Sequence, residues 1–152
     1  MDTTTALAAL DAHYRAMPPV AAMQLAIDDY DGLRLRLRAP LAAHVNDKGC
    51  AFGGSLVSLL TLAGWGLVTL RLQAAGLDAD VYVADSQVRY LAPLFGDLVA
   101  EAVAGDEADG GAFVATVRGR GRARIELLAR VPLAEGGVAT EARSRYVAIA
   151  RR

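Results

Sequence analysis

Apolar and polar positions alternate with two different periods along this chain. Leu7, Leu10 and Tyr14 share one stripe behind a Thr- and Asp-rich start, the spacing of a short surface helix over residues 3–16 that ends at Pro18-Pro19. Gln24–Tyr30 and Leu33–Ala39 read as two strands joined by a tight turn at Asp31-Gly32. In the second, Leu33, Leu35 and Leu37 alternate with Arg34, Arg36 and Arg38, so one face is buried and the other carries a row of positive charge. That row is either a solvated arginine face or an anion-facing surface for a phosphorylated ligand.

The stretch from His44 to Arg71 organises the rest. A polar turn (Asn46, Asp47, Lys48, Gly49) leads through Gly53-Gly54 into a segment without a charged residue between Ala51 and Leu70. Its length predicts a helix, since strands rarely exceed about ten residues. Leu56, Leu59, Leu60, Ala63, Leu67 and Leu70 recur at helical spacing, while Val57, Leu62, Trp65 and Val68 cover the other faces. A helix apolar all round belongs inside a membrane or a protein core. The glycines, serines and threonines within it, and the absence of basic clusters at its flanks, favour a core helix wrapped by a sheet.

Beyond this helix Gly76 is a natural C-cap and Asp78-Ala79-Asp80 a turn. Val81–Leu91 reads as a long strand closed by Pro93, and Gly96-Asp97 turns the chain into a strand over Leu98–Ala104. A loop is expected over Gly105–Gly111. Ala112–Arg118 fits either a strand, by its Val and Thr, or two helical turns bracketed by glycines. Ala123–Val131 and Val138–Ala150 are the last strands, turning at Glu135-Gly136-Gly137. The order predicts an α+β fold, an antiparallel sheet around one long helix. With no internal repeat and no long linker, residues 1–152 are expected to form one domain, residues 1–19 being an appended N-terminal helix.

Composition narrows the function classes. A hydrophobic share of 54% and a formal charge of −1 argue against disorder and against a nucleic-acid footprint. The single cysteine, Cys50, rules out an internal disulfide, and the N-terminus has no basic stretch of a secretory signal, so a cytoplasmic location is expected. His13, beside Asp11 and Arg15, reads as a solvated helix residue.

Two motifs carry a resemblance. N-D-K-G-C-A-F-G-G-S-L (Asn46–Leu56) and D-S-Q-V-R-Y-L-A-P-L-F-G-D (Asp85–Asp97) resemble the hot-dog fold acyl-CoA thioesterases, and among them the YiiD C-terminal-domain family. The resemblance spans residues 20–150. It implies a hot-dog fold, a coenzyme A or acyl-carrier-protein thioester as substrate with no further cofactor and no metal, and a homodimer or tetramer of dimers with the site between subunits. It also points to Tyr90, in the second motif, as a substrate-binding residue. Many members carry an acid about two turns into the central helix; here that position is Thr61 or Leu62, and no acid lies between Ala51 and Leu77.

Thioester hydrolysis needs a place for the carbonyl oxyanion and a positioned water. The free N–H groups at the start of the central helix suit the first, with Gly53 and Gly54 allowing close approach. Ser55 and Asp47 flank that place as candidate binding residues. For the water the candidates are Asn46, Asp85, Ser58 and Thr61. The hydroxyls of Ser58 and Thr61 equally suit bonds back to helix carbonyls, and Asp47 equally suits a turn. Asp85 interrupts an apolar strand; if buried without a partner it would be a general base, and if paired with Arg89 or another arginine a structural group. Cys50 as nucleophile has only His44 nearby in sequence. The alternatives to hydrolysis are a non-catalytic acyl-CoA or lipid-binding module, or another acyl-thioester enzyme of fatty-acid metabolism.

Overall fold

Six strands realise the two-residue alternation, and a single sheet orders them β1-β2-β4-β5-β6-β3, every neighbouring pair antiparallel. In the computed structural model, which describes residues 1–105 and 107–152, they are β1 (Ala26–Tyr30), β2 (Arg34–Ala39), β3 (Ala79–Tyr90), β4 (Leu98–Val103), β5 (Arg122–Pro132) and β6 (Val138–Ala150). The helices are α1 (Thr3–Ala16), α2 (Pro18–Ala21), α3 (Gly53–Ala74) and α4 (Glu107–Arg120). This is the α+β, hot-dog arrangement expected from the sequence.

Helix α3 lies on one face of the sheet and touches β2 to β6, with α1 beside it. Leu35, Leu37, Leu98, Ala100, Ala102, Val131, Tyr146 and Ala148 point at it from the strands, and Leu59, Leu60, Ala63, Leu67 and Leu70 meet them. The apolar run is therefore the core helix, although its 22 residues would span a membrane by length alone. Gly76, at φ +73, ends it as expected, with the Leu77 N–H returning to the Leu72 carbonyl at 2.9 Å.

The opposite face of the sheet carries the charges. Glu101 is buried there under arginines: its Oε1 accepts from Arg36 Nε at 2.9 Å and Nη2 at 2.6 Å, and Arg130 Nε lies 3.6 Å from Oε2. Arg34 lies 3.9 Å from Glu101, and Arg38 lies 3.6 Å from Asp28. The arginine row of β2 is thus largely engaged with carboxylates of its own chain.

One expectation is extended and one corrected. Pro18-Pro19 ends α1 but also opens α2, because proline suits the first helical positions, where its missing N–H costs nothing. The region 107–120 is helical throughout, which replaces most of the expected loop and settles 112–118 as helix; Asp106 lies outside the described residues. Gly110, Phe113 and Val117 are buried along one face of α4, and that face packs on β5. Packing outweighs the low propensity of its glycines.

Candidate active site

The two sequence motifs meet at the start of α3. The loop after β2 doubles back on itself: Phe52 N–H donates to the His44 carbonyl at 2.7 Å, Asn46 N–H to the Cys50 carbonyl at 2.8 Å, and Val45 bridges Ala51. The turn after β3 then clasps it. Ala51 N–H donates to the Leu94 carbonyl at 2.8 Å, Asp97 Oδ1 accepts from Leu41 N–H at 2.8 Å, and the Tyr90 hydroxyl donates to the Gly53 carbonyl at 3.1 Å. These bonds tie the doubled loop to the turn after β3 and hold the helix start in place.

Phe52 is the N-cap of α3 and contributes no side-chain hydrogen bond. Because its own N–H goes to His44, the N–H groups of Gly53, Gly54 and Ser55 are the ones without an intrahelical acceptor. They form the positive end of a long, well-aligned helix. Beside them opens a cavity of about 650 Å³, lined by Val20 and Met23 of the α2 region, Phe52, Gly54, Ser55 and Ser58. The two glycines have separate jobs. A Cβ on Gly53 would lie 3.3 Å from the Tyr90 ring, so Gly53 admits the tyrosine clasp; Gly54 faces the cavity beneath the half-exposed Phe52 ring.

A pair that sequence reasoning missed stands at this point. His44 is only 5% exposed. Its Nε2 lies 2.7 Å from the Met23 carbonyl and its Nδ1 2.8 Å from Ser55 Oγ. A carbonyl only accepts, so Nε2 carries the ring proton of the neutral imidazole, and Nδ1 accepts the hydrogen of the Ser55 hydroxyl. The sequence held a signal for it, a histidine beginning a loop that returns to a helix start, but the eleven-position separation of the partners hid it.

The other candidates disperse. Asn46 is used up by the turn: its Oδ1 accepts from Lys48 N–H at 2.8 Å and Cys50 N–H at 3.1 Å, and its Nδ2 donates to Cys50 Sγ at 3.3 Å. It does not line the cavity. Asp47 pairs with Lys48 at 3.1 Å in solvent, a turn residue away from the cavity. Thr61 lines the cavity, yet its hydroxyl bonds back to the Val57 carbonyl at 2.8 Å. Ser58 lines it with an exposed side chain. Tyr90 braces Gly53 from outside the cavity.

Asp85 takes the second of the two roles open to it, that of a group paired with an arginine. The ladder slips between Val83 and Asp85, so that Val83 faces Tyr146, which points at α3, while Asp85 faces Arg145, which points away. Its carboxylate accepts from Arg145 Nε at 2.8 Å and from Nη2, and is half exposed. The arginine's hydrogen bonds hold the carboxyl below its ordinary value of 3.8, the opposite of what a general base requires. Among the described residues, no group of three metal-ligating side chains converges anywhere.

Residues 8–150 match the YiiD C-terminal family, described as a putative thioesterase. The chain belongs to this family. A structure of a protein of unknown function from Chlorobaculum tepidum is 29% identical, with a TM-score of 0.87 over 97% of this chain and 94% of its own. That of a putative thioesterase from Shewanella oneidensis is 27% identical, with a TM-score of 0.86 over 97% of this chain and 99% of its own. A probable thioesterase from Pseudomonas aeruginosa, 22% identical at a TM-score of 0.81 over 99% of this chain and 97% of its own, shares the fold. In this YiiD C-terminal chain the loop carrying Gly49, Gly53 and Gly54 ends at a helix start without a side-chain cap, beside an apolar cavity without a carboxylate in its lining.

Proposed function

We propose that the protein hydrolyses an acyl thioester of coenzyme A or of an acyl carrier protein. The observation that carries this reading is the free N–H end of α3 opening onto the cavity. The thioester carbonyl oxygen sits against the N–H groups of Gly53 and Gly54, where developing negative charge meets fixed donors and the helix dipole. The acyl chain lies along Val20, Met23, Val57 and Leu62.

The working unit is a homodimer, or a tetramer built from dimers. Strand β3 pairs with β6 on one side only, and its 12 residues leave an open edge with Tyr82, Val83 and Tyr90 exposed. A second copy closing that edge removes the liability, and brings its own residues to the rim of the cavity. A location in the cytoplasm, where such thioesters are made, agrees with this.

A second reading, a module that binds acyl thioesters without cleaving them, is favoured by the absence of any carboxylate from the cavity lining. Thiol release from short-, medium- and long-chain acyl-CoA separates the two. Turnover is the expected result; tight binding of the thioether analogues with no thiol release from any thioester would establish the binding module. Light scattering on the same sample should give at least twice the 15.9 kDa of one chain.

A further inference from the structure

The chain has no acid on α3, and its outer-face aspartate is tied to an arginine, so hydrolysis needs a proton acceptor from another source. Resting on the hydrolase reading, we infer that Ser55 and His44 together are that acceptor: Ser55 Oγ takes a proton from the attacking water while passing its own to His44 Nδ1.

The geometry sets each role. Ser55 lines the cavity one position beyond Gly54, so its Oγ stands next to the amides that receive the carbonyl oxygen. Since its hydrogen points at His44, its lone pairs are left for a water in the cavity. His44 is held on all sides. Its N–H donates to the Leu41 carbonyl at 2.8 Å, its carbonyl accepts from Phe52, and Nε2 donates to the Met23 carbonyl. Met23 precedes Gln24, which among the described residues is the non-glycine residue with positive φ, at +54. Backbone strain at this point turns the chain between the residue supplying the acceptor for Nε2 and β1. A carbonyl behind the ring does what a carboxylate does in other hydrogen-bonded pairs: it fixes the tautomer and stabilises the imidazolium once Nδ1 is protonated.

The same burial decides between water and serine as the nucleophile. If Ser55 itself were acylated, its oxygen would stand between His44 Nδ1 and the cavity. The water of the second step would then have no base, because the ring is buried and its other nitrogen is engaged. Direct attack by water avoids this. As its oxygen bonds to the carbonyl carbon, one water proton moves to Ser55 Oγ and the Ser55 proton moves to Nδ1, while the carbonyl electron pair moves onto the oxygen held at Gly53 and Gly54. Collapse breaks the C–S bond, the thiolate leaves with that bond's electrons, and the proton on His44 returns through Ser55 to the thiolate. The products are a carboxylic acid and a thiol. Ser55 is the catalytic residue, and His44 acts through it.

The test uses octanoyl-CoA as substrate and its non-hydrolysable thioether analogue as binding probe. His44→Asn keeps an acceptor near the Nδ1 position but removes the base; Ser55→Ala removes the link. Each is expected to lower kcat by about 10²–10⁴ while the affinity for the thioether stays within about threefold, and the double variant should be no slower than the worse single one, because the two act as a unit. Turnover of His44→Asn near the parent's, losses that multiply in the double variant, or an acyl group trapped on Ser55 by acid quench would each overturn the relay. Should His44→Asn fail to fold, Ser55→Ala decides alone, and a kcat near the parent's would again overturn it. A parent that binds the thioether and cleaves no thioester overturns the hydrolase reading itself and the relay with it, whereas an active parent with insensitive variants overturns only the relay.

Discussion

Helix α3 contains two pairs of glycines, and the molecule uses them in opposite ways. At its start, Gly53 and Gly54 keep side chains away from free amides, and the space at Gly54 belongs to a cavity. In its middle, Gly64 and Gly66 keep side chains away so that two tyrosines can reach the helix backbone. Tyr146 crosses Gly64 to donate to the Thr61 carbonyl at 2.9 Å, and Tyr14 crosses Gly66 to donate to the Leu62 carbonyl at 2.7 Å. Both tyrosines are 1% exposed, and burial pushes their hydroxyls up, that of Tyr146 to about 12. The same residue type thus borders an open cavity at one end and makes a closed joint at the other, and what differs is whether the aromatic ring that meets the glycine is half exposed, as Phe52 and Tyr90 are, or sealed in the core, as Tyr14 and Tyr146 are.

Substitutions can break that contrast at either end. Gly54→Val puts a branched side chain between the cavity and the amides. A Cβ there meets Phe52 Cε2 at 2.6 Å, but Phe52 is half exposed and swings away at little cost. Loss of one oxyanion donor costs about 10²–10³ in kcat, so Gly54→Val should lose at least that much while its melting temperature stays near the parent's. Steady-state kinetics and calorimetry on one preparation check both halves. Near-normal turnover would remove the helix start from the mechanism.

Gly64→Ala should do the reverse. The added methyl gains about 1 kcal/mol of helix propensity. Against this, its carbon would lie 2.7 Å from Tyr146 Cζ, and the buried ring cannot swing into solvent. Overpacking costs about 1–3 kcal/mol, and the displaced hydroxyl forfeits a hydrogen bond worth about 1 kcal/mol, so the clash wins. The expected outcome is a melting temperature lower by several degrees, with kcat changed less than by Gly54→Val. A stabilised Gly64→Ala would mean that the notch is not filled as described.

How far the sequence disclosed these features follows from what each depends on. Helix α3 and strand β2 were legible because composition alone encodes them: twenty residues without a charge, and strict alternation of leucine with arginine. Helix α4 was not, because Gly110, Gly111 and Gly119 oppose it locally and only the packing of Phe113 and Val117 on β5 supports it. The glycine-rich helix start was legible as a motif. Its partner was not, since His44 meets Ser55 only after the loop doubles back through the Phe52–His44 bond. Nor does a tyrosine at position 14 or 146 announce that it will end on a glycine in the middle of α3.

Asp85 shows how one backbone irregularity defeats a pattern. By simple alternation Val81, Val83 and Asp85 share a face, and the first two do point at the helix. The extra residue at Ala84 bulges out of the ladder, and from Asp85 onward every side chain changes face. The carboxylate is thereby delivered to Arg145 in solvent. Asp85→Asn should therefore leave kcat and KM within about twofold of the parent, where a true general base would cost about 10²–10⁴. Its effect on stability should be small, because exposed ion pairs contribute little, and it should depend on pH with a definite sign. The carboxyl is held below its ordinary 3.8, so the contribution is present above that value and is lost as the pH falls through the lower value of the folded protein. Melting curves of parent and variant should thus differ slightly at neutral pH and converge in acid. A large loss of turnover with an unchanged melting temperature would return Asp85 to the site and would require a partner subunit to bring its outer face there.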